Sequence, residues 1–140
     1  MIKRTDDVIW RGDLQKGYTI FEYDPKGNIS RKRVYDNDTL EYIREFTYND
    51  DDNILKAFGL GTESIVSYTL YDVLDDDAYL NKNNLTSVVE KWHDGRIFTV
   101  SEITYSRDST DRITRLDSKR KVGAFSPGVF TYNFFYECKR

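Results

Sequence analysis

A chain of 140 residues with 39% hydrophobic and 32% charged side chains has enough material for one core, so a single domain across 1–140 is expected. A net charge of −3 is too mild to imply a special partner by itself. The single cysteine, Cys138, excludes an internal disulfide framework, and no run approaches the ~20 apolar residues of a membrane helix.

Aromatic residues make up 15% of the chain, with 11 Tyr, 8 Phe and 2 Trp, and flat rings pack well on a pleated surface. Alanine is confined to Ala57, Ala78 and Ala124, so helix formers are scarce. In chain order, "YTIFEYD" alternates in strand fashion and ends at Pro25-Lys26-Gly27-Asn28. That is a turn in which Pro presets φ and Gly supplies a positive φ. "ISRKRVYD" returns, "DNDT" breaks it, and "LEYIREFTY" follows. "NDDDN" turns the chain into "ILKAFG", and "ESIVSYTLYD" comes after Gly59 and Gly61.

"VLDDDAYLNKNN" is expected as the one long connection. "LTSVVEKW" and "RIFTVSEITYS" flank His93-Asp94-Gly95, a strong hairpin signal. "RITRLD", a basic loop "SKRKVGAFSPG" and a last strand "VFTYNFFYECKR" complete the pass. The expected fold is all-β: an antiparallel meander of about nine or ten strands, curled into an open barrel or folded over as a sandwich.

The turns repeat a pattern. "FEYDPKGNISRKRVYD" has counterparts in "FTYNDDDNILKAFG" and in "ITYSRDSTDRITRLDS". An aromatic closes one strand, polar turn formers follow, and an Ile opens the next. Asp, Asn and Ser can bond nearby amides in such turns, while Tyr packs on the neighbouring hairpin. With these residues the chain resembles the YD-repeat (RHS-repeat) family. Tyr23, Asp24, Gly27 and Asn28 match the motif most closely; Tyr48 and Tyr105 keep only the aromatic. The resemblance covers less than half of the chain. It implies a compact sheet of consecutive hairpins, and small bacterial proteins with similar patterns occur beside toxin genes and on cell surfaces.

Catalytic candidates are few. His93 stands alone in "WHDGR" and reads as a solvated hairpin residue rather than a general base. Cys138 reads as a buried structural thiol. "NDDDN" has the opening spacing of a calcium loop, but Ile54 stands where that loop needs Gly and no Glu follows, so a polar hairpin tip is expected. No catalytic residue, metal ligand or cofactor is therefore assigned. In "SRKRV", Arg31 and Arg33 share one face while Lys32 takes the other, which argues against a single nucleic-acid patch. The final run is apolar on both sides, as a central strand or as one with a face left for a partner.

These observations lead to a non-enzymatic protein-binding module in the cytoplasm, with no membrane partner. Its concrete form is a small bacterial or phage inhibitor, an immunity or anti-defence protein that engages a toxin or defence protein. Tyr42, Arg44, Asp75, Asp76, Asp77 and Arg120 are the partner-binding candidates, from position alone. An uncovered edge strand would also let two copies pair as a homodimer. The alternatives are a lipocalin-like ligand carrier lined by Trp10 and Trp92, and a structural fragment of a YD-repeat surface or secreted protein.

Overall fold

The computed structural model describes residues 2–10, 13–54, 81–122 and 128–135, with the backbone alone for 3–10, 13–15 and 122. Eight strands run in chain order: β1 (Ile2–Trp10), β2 (Asp13–Tyr23), β3 (Ile29–Asp36), β4 (Thr39–Asp52), β5 (Asn83–Trp92), β6 (Ile97–Arg107), β7 (Ile113–Val122) and β8 (Gly128–Asn133). They form one open sheet in the order β1 to β8, every neighbour antiparallel. Every sequential pair is thus a spatial pair; short connections favour this everywhere except between β4 and β5, which pair although residues 53–82 separate them.

The expected meander is present, with fewer strands than nine or ten among the described residues. The runs at 55–59 and 63–72 lie outside them, as does Cys138. Three segments differ from expectation. The first is β1, whose dense charges hid a strand; an edge strand needs only backbone pairing and tolerates charge. The second is the basic run Ser118–Val122, which continues β7 instead of forming a loop. There Ser118 is buried, while Lys119 and Lys121 are exposed on the other side. The third is the last strand, which is terminal in the sheet rather than central. Its pairing stops at Asn133, and residues 136–140 lie outside the description.

Three hairpins share one turn geometry. Asp24, Trp92 and Asp108 each donate a backbone N–H to the carbonyl four residues on, at 2.8, 2.9 and 2.9 Å. Each also accepts from the N–H three residues on, at 3.0, 2.9 and 3.0 Å. That third residue is Gly27 (φ 87°), Gly95 (φ 85°) or Asp111 (φ 66°). This is a three-residue loop closed by a left-handed residue and a bulge, and the register shifts at Glu22/Tyr23, Glu90/Lys91 and Ser106/Arg107 agree. The turns therefore superpose Asp108 on Asp24 and Tyr105 on Phe21, two residues away from the alignment read off the Tyr-Asp pattern. The β3–β4 turn is tighter: Asn37 and Asp38 both have positive φ, 45° and 64°, as a two-residue hairpin demands.

The two faces of the sheet differ. On one, Ile54, Leu85, Val88, Ile103, Ile113 and Leu116 form the core, with Phe46, Tyr48, Tyr105, Phe130, Tyr132 and Phe134 packed against it. On the other, Glu22, Arg31 and Glu45 stand opposite one another across β2, β3 and β4. Arg31 reaches Glu45 at 3.1 Å, Lys91 of β5 reaches Glu45 at 2.5 Å, and Arg33 pairs with Glu22. Lys91 is the largest influence holding the Glu45 carboxyl below its ordinary value, with Arg31 adding to it.

Buried asparagines hold the turns together. Asn28, Asn53 and Asn84 precede Ile29, Ile54 and Leu85, and all six are buried. Asn28 Oδ1 accepts from the amides of Lys82 and Asn83 at 2.8 and 3.0 Å, and its Nδ2 donates to Asp24 at 3.0 Å and to Asn83 at 2.9 Å. The Ile29 and Ile54 amides donate to Asn81 and Asn84 side chains at 2.6 and 2.8 Å. Tyrosines close the other ends: Tyr48 donates to the Ile29 carbonyl and Tyr105 to the Leu85 carbonyl, both at 2.8 Å. The bonds to amides and carbonyls satisfy backbone groups, and the two from Asn28 Nδ2 satisfy its own buried amide.

Candidate interaction surface

Direct cross-strand partners share a face, so the register defines rows across the sheet. One row on the core face is Phe21, Lys32, Arg44, Glu90 and Thr99. The next toward the β5–β6 turn is Thr19, Val34, Tyr42 and Trp92. Phe21, Lys32 and Thr99 are buried, whereas Trp92 is 44% exposed. The buried face thus opens to solvent at this end.

Five side chains form two sets of contacts there. Arg44 Nε donates to Glu90 Oε1 at 2.6 Å, and its guanidinium lies 5.3 Å from the centre of the Tyr42 ring. Trp92 packs on Phe98 with ring centres 4.4 Å apart and planes tilted by 31°. The three-residue turn sets this contact, because it folds β6 back so that Phe98 meets Trp92 across the hairpin end. On the opposite face of the same end, Ile97 is 51% exposed, opposite Lys91 in register.

The turn is held firmly. Asp94 accepts from the Arg96 amide at 3.0 Å and from Arg96 Nε at 2.6 Å. The backbone bond, then the side-chain bond, draws the Asp94 carboxyl below its ordinary value. The His93 amide donates to the Glu41 carbonyl at 3.1 Å, tying the tip to β4. His93 itself is exposed in this turn.

Of the candidates chosen by position, Tyr42 and Arg44 come together, on alternate positions of β4. Arg120 does not join them. It stands opposite Ser101 and Gly128, three strands from β4, about 14 Å at the usual strand spacing. Asp75, Asp76 and Asp77 lie outside the described residues. Sequence reasoning singled out Trp92 only as the lining of a ligand cavity and missed Phe98, Ile97 and Glu90. The available signal was "KWHDGRIF", where an aromatic stands on each side of a short turn and must meet the other once the loop length is known.

The remaining polar clusters are structural. Asn49 and Asp51 bond to each other, Asn49 Nδ2 donating to Asp51 Oδ2 at 2.8 Å, and Asp51 also pairs with Arg107 at 2.7 Å, while Asn53 turns inward to the Asn81 carbonyl at 2.9 Å. Among the described residues no group of three or more His, Cys, Asp or Glu side chains is placed to hold a metal ion. Arg31 and Arg33 face away from buried Lys32 and are paired with Glu22 and Glu45. A shallow groove of about 320 Å³ runs between the first turn and the end of β4, lined by Asp24, Lys26, Ser30, Phe46, Tyr48 and Asn49. Three of its polar groups are already engaged: Asp24 by Asn28, Lys26 by Asp50, Tyr48 by the Ile29 carbonyl.

Comparison with protein-family models, with curated proteins and with solved structures found no match.

Proposed function

We propose that this chain is a non-enzymatic protein-binding module that meets its partner through the β4–β5–β6 end of the sheet. The observation that carries the reading is the exposure of Trp92 and Ile97 on a hairpin whose turn is tightly bonded. Large apolar side chains at a rigid, solvent-facing position suit an interface better than a core. Phe98 packed on Trp92, and Tyr42 and Arg44 on the same face, are residue types enriched at interface centres. The concrete form is a small bacterial or phage-encoded inhibitor of a toxin or defence protein, acting in the cytoplasm.

The test is affinity capture of tagged protein from its source lysate, beside a Trp92→Ala variant that retains the wild-type circular dichroism spectrum. The reading expects a stoichiometric partner that is lost or weakened at least tenfold by the substitution. A partner retained at full strength by the variant refutes the proposed surface, and no partner at all refutes the binding reading.

A second reading has its own support. The Asn-Ile and Asn-Leu pairs, with the tyrosine–carbonyl bonds, form a repeating local grammar. That favours a structural hairpin module of the YD-repeat kind. A native transcript encoding further copies of the same pattern would move the weight there.

A further inference from the structure

We draw no further inference here: the strongest candidate, the exposed apolar end of the β5–β6 hairpin around Trp92 and Ile97, belongs to the surface already described, and nothing in the structure shows the chemistry of what covers it.

Discussion

Asn28→Asp keeps the shape of a fully buried side chain and reverses half of its hydrogen bonding. The oxygen that accepts from Lys82 and Asn83 amides survives, but Nδ2, which donates to Asp24 Oδ2 and Asn83 Oδ1, becomes an oxygen facing two oxygens. Two buried bonds are lost, and one of the new contacts sets carboxylate against carboxylate. The expected cost is about 3–5 kcal/mol, out of the roughly 5–15 kcal/mol that stabilises a typical domain. With a urea slope of about 1.5–2 kcal/mol per molar, the midpoint at pH 7 falls by about 2 M.

The double variant Asp24→Asn, Asn28→Asp restores a donor opposite an acceptor. It should recover at least about 1 kcal/mol relative to the single change. Acid supplies a second check. Burial raises the Asp24 carboxyl, but bonds from the Asn28 side chain and the backbone amides of the turn outweigh it and hold the group below 3.8. The wild type therefore carries this contribution above the unfolded pKa and loses it as pH falls through the lowered folded value. In the variant, crowded carboxylates favour protonation, so acid stabilises its fold and the gap narrows below about pH 4. A midpoint within about 0.3 M of wild type at pH 7, or a gap that widens in acid, would refute the reasoning.

Three further predictions concern the same architecture. Tyr48→Phe and Tyr105→Phe each remove a donor to a strand carbonyl and should cost about 1 kcal/mol in urea unfolding; burial, then the nearby Asp51, raises the Tyr105 hydroxyl, so its donor persists at alkaline pH while exposed tyrosines ionise by ultraviolet titration. Gly95→Ala should cost about 1–2 kcal/mol from the left-handed backbone alone, since a Cβ there meets open space; Gly27→Ala adds contact with the Lys82 side chain at 3.4 Å, and its midpoint should fall at least as far. Glu45→Gln should cost only about 0.5 kcal/mol because its ion pairs with Arg31 and Lys91 are partly solvated, and it should flatten the loss of stability in acid, where the wild type loses the Glu45 contribution as pH falls below the unfolded value and through the lowered folded one.

Much of the local structure was legible because hairpin turns are written in a few residues. Pro25-Lys26-Gly27-Asn28 and Asp94-Gly95 announced positive φ, and the structure bends the chain at both. The opposed faces of Arg31 and Lys32 followed from the period of two. Asp111 was harder to read, since it takes the left-handed position that glycine fills in the sister turns. The alignment by Tyr-Asp therefore slipped by two residues. The run "SKRK" concealed a strand because polar composition resembles a loop when its neighbours are unknown. Paired between β6 and β8, it alternates like any other strand.

The sequence by itself determined the class of fold: β-rich composition with turn formers at short intervals leaves an antiparallel meander as the economical solution. It also marked the aromatics and asparagines without revealing their use. Only the tertiary structure decided which asparagines are buried, because Asn28 and Asn81–Asn84 are more than fifty residues apart and meet through long-range pairing. It also decided that Trp92 stands in solvent while Leu85, on the same strand, is in the core. Alternation assigns a face, but whether that face is covered depends on how far the neighbouring strands extend past each residue, and no single strand encodes that.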